Sequence, residues 1–219
     1  VNNKTLTINE SFNLAVKNHQ EGKIDVAQEL YNQVLKIDPN FVNAHNNLGV
    51  ILQELGELQK AKGCYEKTIE IDPSYVKAHN NLGVIFKELG DKQKAKNCYE
   101  KAIEIDPNYT DAHNNLGTIF QDLGELQKAK ECFEKAIEID PGYVKVRNNL
   151  GVTLQELGEL QKAKKCYEKA IEIDPNYANS YYNLGVLFKE LGEFEKVKEC
   201  YEKAIEIDPN YADAYNNLG

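Results

Sequence analysis

An all-α solenoid of antiparallel helix pairs is what the sequence predicts, on three observations. A period of 34 residues runs along the chain, apolar residues recur at helical spacing twice within each period, and a glycine and a proline punctuate every unit. All six prolines (Pro39, Pro73, Pro107, Pro141, Pro175, Pro209) obey the period, as do Gly49, Gly83, Gly117, Gly151, Gly185 and Gly219. A lead-in of 1–7 is therefore followed by repeats 8–41, 42–75, 76–109, 110–143, 144–177 and 178–211 and by a fragment, 212–219. Residues 42–75 and 76–109 agree at 26 of 34 positions, as recent duplicates would, whereas 8–41 and 42–75 share only ten: Asn9, Asn13, Leu14, Val16, Gly22, Ala27, Tyr31, Ile37, Asp38 and Pro39.

Thr7 with Glu10 reads as a capping box that opens the first helix. In 42–75 one helical stripe is Ala44, Leu48, Ile51, Leu52 and Leu55, and a second is Leu58, Ala61, Tyr65, Thr68, Ile69 and Ile71. Gly56 lies between them and suits the left-handed conformation that closes a helix. Asp72-Pro73 ends the second helix, because proline drives its predecessor out of the α region. Nothing reads as a strand. Gly49 sits inside a helix at a cost of about 1 kcal/mol relative to Ala, which predicts close approach of the second helix at Ala61. A single pair of helices cannot bury its own apolar face, so units must stack.

Composition narrows the function. The 219 residues carry 26 Lys+Arg against 35 Asp+Glu, a net charge of −9, which is the wrong sign for a protein that neutralises a nucleic-acid backbone. No apolar run approaches the roughly 20 residues of a membrane-spanning helix. Met is absent, so the chain is expected to be part of a longer protein. No secretory apolar segment is visible, and the sequons at Asn3, Asn9 and Asn108 are the chance motifs of an Asn-rich chain; a cytoplasmic location is expected.

Catalysis finds no foothold. Gly56 to Gly63 lacks the Gly-Lys-Ser/Thr ending of a phosphate loop, and neither a Ser-His-Asp nor an HExxH grouping occurs. Acids such as Glu54 and Glu57 recur at helix ends, where solvation explains them. His45, His79 and His113 form a column, as do Cys64, Cys98, Cys132, Cys166 and Cys200. Equivalent residues on stacked repeats stand about 10 Å apart, too far to share one ion or to be bridged. No metal, cofactor or disulfide is expected.

The asparagines are the distinctive feature. Asn13, Asn47, Asn81, Asn115, Asn149, Asn183 and Asn217 occupy one face of successive first helices, a poor place on propensity grounds. Asn46, Asn80, Asn114, Asn148 and Asn216 flank them, with Phe12 and Tyr182 as exceptions. An amide donates and accepts, so the column could hold a peptide backbone or bond neighbouring helices. Flanking columns would supply selectivity: Asn43, Lys77, Asp111, Lys145 and Asn179, then Gln53, Lys87, Gln121, Gln155 and Lys189.

Leu48-Gly49, Gly56, Ala61, Tyr65, Thr68 and Pro73, with their successors, resemble the tetratricopeptide repeat over 8–211. His45, His79, His113, Arg147 and Tyr181 stand where that family usually has Trp. The resemblance implies a right-handed superhelix whose first helices line a concave groove that binds protein segments. The Asn-Asn-Leu-Gly wording is also similar to the repeat arm of O-GlcNAc transferase and SPINDLY-type proteins, whose recurrent Asn forms a ladder along the groove. The family's dicarboxylate clamp is not expected, because Val50, Val84 and Val152 stand where it needs a further Asn, and Asn81 where it needs Arg. The expectation is a non-enzymatic scaffold for an extended peptide or protein segment. The alternatives are a substrate-recruiting arm of a larger glycosyltransferase and a self-assembling structural module. End-to-end self-association is expected through a partly uncovered face at Val186, Phe188 and Tyr201.

Overall fold

The computed structural model describes residues 6–218. Residues 1–5 of the lead-in, with the sequon at Asn3, and Gly219 of the glycine column lie outside the described residues. The described chain forms thirteen α-helices and no strand. The helices group into two compact units, Val1–Tyr109 and Thr110–Gly219.

The first unit holds three helix pairs: α1 (Ile8–Gln20) with α2 (Ile24–Ile37), α3 (Val42–Glu54) with α4 (Leu58–Ile71), and α5 (Val76–Glu88) with α6 (Lys92–Ile105). Each second helix also packs on the next first helix, α2 on α3 and α4 on α5, so the pairs stack in chain order. The second unit repeats the plan with α7 (Thr110–Asp122) and α8 (Leu126–Ile139), α9 (Val144–Glu156) and α10 (Leu160–Ile173), α11 (Ala178–Leu191) and α12 (Phe194–Ile207), and adds α13 (Ala212–Leu218) against α12.

The punctuation works as its chemistry dictates. Thr7 Oγ1 accepts from the Glu10 amide at 3.2 Å while Glu10 Oε2 accepts from the Thr7 amide at 2.8 Å, the reciprocal capping box. Those bonds hold the Glu10 carboxyl below its ordinary range. Gly56 takes φ +74°, in the left-handed region, and closes the pair of α3 and α4. After α4, Asp72 Oδ1 accepts from the Ser74 amide at 2.9 Å, an Asx turn around Pro73. Asp38, Asp140 and Asp174 make the same turn with Asn40, Gly142 and Asn176.

The apolar stripes supply the core. Ala44, Ile51, Ala61 and Tyr65 are fully buried in the first unit, and Ala163, Tyr167, Ala170 and Leu187 in the second. Leu55, expected on the stripe, sits at the C-cap of α3 and is exposed. The glycine inside α3 also has a different partner from the one expected. A Cβ on Gly49 would stand 2.6 Å from Cε1 of Tyr65, so Gly49 admits an aromatic ring of α4 rather than the small Ala61. The expectation of an uncovered terminal face needs correction too. Phe188 is buried, with Lys164 and Lys196 over its ring, and α13 seats Ala214 against Tyr201 and Ala204, so that Tyr201 is buried and Val186 half-buried.

Candidate functional site

The two asparagine columns separate by depth. Asn46, Asn80, Asn114 and Asn148 are buried, whereas Asn47, Asn81, Asn115, Asn149 and Asn183 are half-exposed, and Asn13 and Asn217 are exposed. The helical period produces this: adjacent residues point about 100° apart, so only one can look away from the packed neighbours.

The columns are joined by a repeating bond. The Asn149 amide donates to Asn114 Oδ1 at 3.1 Å, and Asn183 to Asn148 Oδ1 at 3.0 Å. In the first unit Asn81 donates to Asn46 Oδ1 at 3.4 Å. In these three cases the outer amide reaches back to the inner amide of the preceding repeat. The inner amide turns sideways in the same repeat, as Asn46 donates to Asn47 Oδ1 at 3.2 Å and Asn114 to Asn115 Oδ1 at 3.3 Å. Where the inner residue is aromatic the bond finds a hydroxyl instead. Asn47 follows the repeat of Phe12 and donates to Tyr31 Oη at 3.2 Å, and Asn217 follows Tyr182 and donates to its Oη at 3.1 Å.

The flanking columns divide by residue type. Asn43, Asp111 and Asn179 accept from the hydroxyls of Tyr75, Tyr143 and Tyr211, each at 2.9 Å, so they tie the start of a repeat to its own last residue. Gln53 and Gln155 accept from buried Tyr65 and Tyr167, each at 3.2 Å, while donating to Glu88 and Glu190. Lys77, Lys87, Lys145 and Lys189 are exposed, and their side chains make no hydrogen bond or ion pair among the described residues.

The other columns have structural partners. His45 and His79 each bond through Nε2 to a proline carbonyl six residues earlier, Pro39 and Pro73, at 2.9 Å. Arg147 reaches Pro141 in the same way at 2.8 Å, which explains what side chain that position requires. Burial pushes the thiols of Cys64, Cys98, Cys166 and Cys200 up to about 11, so they are poor nucleophiles. No group of three His, Cys, Asp or Glu among the described residues is placed to hold a metal ion, and none of their helices is long and apolar enough to cross a membrane. Sequence reasoning missed Tyr31, Tyr75, Tyr143 and Tyr211, whose fixed spacing from the asparagines was the available signal.

Stacked helix pairs with a polar amide seam along their first helices define a helical-repeat scaffold. The chain belongs to the tetratricopeptide repeat family: the family's pattern, described as "Tetratricopeptide repeat", matches residues 42–75, 76–109, 108–176 and 143–210, and a "TPR repeat" pattern matches 18–56. Together these matches cover residues 18–210. Among solved structures, YrrB, "a TPR protein with an unusual peptide-binding site", is similar at 26% identity and a TM-score of 0.66, over 85% of this chain and 96% of that one. MamA is 30% identical with a TM-score of 0.65, over 75% of this chain and 96% of its own. PilF of Pseudomonas aeruginosa, at 21% identity, shares the fold alone, with a TM-score of 0.84 over 96% of each chain. No curated protein sequence matches the chain.

Proposed function

We propose that this protein is an interaction scaffold that holds an extended polypeptide segment along its first helices, through the outer amides at Asn47, Asn81, Asn115, Asn149 and Asn183, with Asn13 and Asn217 continuing the column. The observation that carries this reading is the half-commitment of the outer amide. At Asn47 one N–H goes to Tyr31 and one lone pair to Asn46, which leaves one donor and one acceptor on a half-exposed group. A peptide unit needs that same pair. Repeats about 10 Å apart meet an extended chain, rising about 3.3 Å per residue, at every third residue. The inner amides Asn46, Asn80, Asn114 and Asn148 serve by holding the outer ones in place, and Lys77, Lys87, Lys145 and Lys189 select among partners. The printed description of YrrB as peptide-binding supports the same reading.

A decapeptide binder selected from a random, amide-capped library tests it. Asn81→Ala, Asn115→Ala and Asn149→Ala together should weaken that binder roughly 10- to 1000-fold, at about 0.5–1.5 kcal/mol for each amide. Unchanged affinity in the folded triple variant would mean that the amides serve only the fold. The Asn-Asn-Leu-Gly wording supports a narrower alternative, a substrate-recruiting arm of an O-GlcNAc transferase-like enzyme, which the parent gene's sequence would decide. The exposed Phe194 and Tyr215 support a second alternative, self-assembly, for which light scattering across a concentration series is the measurement.

A further inference from the structure

Two clefts of the second unit, each 390 Å³, lie between corresponding elements and differ at the residue that faces the buried tyrosine. The cleft of α9, α10 and α11 presents Gln155, Tyr167, Glu156 and Glu190. The cleft of α11, α12 and α13 presents Lys189, Lys198, Tyr201 and Asn217.

The buried tyrosine is partnered in one and not in the other. Gln155 gives the buried Tyr167 hydroxyl an acceptor, as Gln53 does for Tyr65. Lys189 stands in the place of Gln155, and an ammonium has no lone pair to offer. The Tyr201 hydroxyl therefore has no partner among the described residues, although the residue is fully buried. The first unit repeats the substitution independently, since Lys87 replaces the glutamine and the Tyr99 hydroxyl is likewise without a partner. A buried donor with nothing to receive its proton is costly, and in the second unit Lys189 and Tyr201 line the same cleft, which asks for an acceptor from outside.

We propose that the cleft of Lys189, Lys198 and Tyr201 receives the side-chain carboxylate of an Asp or Glu in the extended segment. A carboxylate accepts the tyrosine proton with one oxygen and draws the ammonium of Lys189 to the other, a charge-assisted arrangement that a neutral amide cannot match. The Tyr201 hydroxyl is covered, so the acceptor reaches it as the exposed side chain of Lys189 moves aside, and that side chain then closes on the charge. Lys198 stands 3.6 Å from Glu202 at the exposed rim, so Lys189 is the principal cation.

The charge layout of the helices agrees. Second-helix lysines recur in pairs with glutamates of their own helix: Lys67 with Glu70, Lys101 with Glu104, Lys135 with Glu138, Lys169 with Glu172 and Lys203 with Glu206. The lysines of α3, α5, α7, α9 and α11 are Lys77, Lys87, Lys145 and Lys189, and none is paired among the described residues. A chain of net charge −9 thus keeps uncompensated cations on the helices that carry the asparagine seam. Lys189 stands at a different repeat position from the clamp's further Asn and Arg, whose places hold valines and Asn81 here.

The proposal rests on the groove reading above, and its test separates the two. The 219-residue chain, with ring-¹³C tyrosine, is titrated by NMR with acetyl-Gly-Gly-Glu-Gly-Gly-amide and with its Gln counterpart. The Glu peptide should bind about tenfold tighter and shift the Tyr201 ring, with a preference that narrows at about 1 M salt. Lys189→Gln, which recreates the Gln155–Tyr167 pair, should abolish the preference, and Tyr201→Phe should reduce it. Lys165→Gln, on the exposed face of α10, should leave it intact. Equal binding of the two peptides, or a preference that survives Lys189→Gln, overturns the carboxylate site and leaves the groove reading standing. Binding of neither peptide overturns both. Tighter binding of acetyl-Gly-Gly-Gln-Gly-Gly with a free terminal carboxylate overturns the side-chain source.

Discussion

The side-chain amide of Asn183 donates across 3.0 Å to Oδ1 of Asn148, and that bond joins the first helices of two successive repeats. Asn148 also accepts from the Ser180 hydroxyl at 3.3 Å, so one buried oxygen serves two donors of α11. The same two residue types therefore have unequal roles at neighbouring positions.

Asn148→Ala should cost more than Asn183→Ala. The first strands the hydroxyl of fully buried Ser180 and frees Asn183 from the seam, at about 1–3 kcal/mol. The second removes one bond from a half-exposed group and leaves Asn148 with Ser180, at about 0.5–1.5 kcal/mol. Urea unfolding of the two variants checks the order, and equal midpoints would contradict it.

One substitution should act in opposite directions on neighbouring helices. Gly49→Ala would place its methyl 2.6 Å from a ring carbon of fully buried Tyr65, and the ring has nowhere to go; a loss of about 1–3 kcal/mol is expected. Gly63→Ala, on the exposed face of α4 with no atom within 4 Å of the new methyl, should gain about 0.5–1 kcal/mol. Thermal melts of both variants provide the comparison.

Lys87→Gln should stabilise the fold by about 0.5–1.5 kcal/mol, because it hands the Tyr99 hydroxyl the acceptor that Gln53 gives Tyr65. Tyr99→Phe should be close to neutral, whereas Tyr65→Phe should lose stability. If Tyr99→Phe proves as costly as Tyr65→Phe, the hydroxyl has a partner after all.

Alkaline pH should weaken the protein. Burial raises the Cys64, Cys98, Cys166 and Cys200 thiols from 9.0 to about 11, so they stay protonated in the fold while the unfolded chain ionises. Their contribution is whole below about pH 9 and fades as the pH rises towards 11. The raised phenols of Tyr65, Tyr99 and Tyr167 act with the same sign. The urea midpoint should fall steadily from pH 8.5 to 10.5, and iodoacetamide at pH 8 should label the native thiols at least about tenfold more slowly than the unfolded ones.

The local signals were legible in the sequence because they act over a few residues. Thr7 and Glu10 cap each other, Gly56 needs its left-handed φ, and Asp72-Pro73 stops a helix, all without reference to the rest of the chain. The face shared by the asparagines was legible for the same reason, since a helical period fixes it. The reach of Asn183 to Asn148 was not, because it depends on how closely two first helices approach. The partner of Gly49 was misread as Ala61 since spacing alone does not reveal that the Tyr65 ring swings across the helix. The burial of Tyr201 was missed because the short α13, anchored by Ala214, covers more than its length suggests.

Because the outer amides of Asn47, Asn81, Asn149, Asn183 and Asn217 each reach back one repeat, the joint they make is indifferent to how many repeats there are. An in-frame gain or loss of a 34-residue unit by unequal crossing-over rejoins like to like and strands no amide. Only a unit with an aromatic residue at the inner position, as at Phe12 or Tyr182, must bring its own oxygen, and Tyr31 and Tyr182 do so. Such a chain is free to drift in length over generations while the chemistry of each joint stays the same.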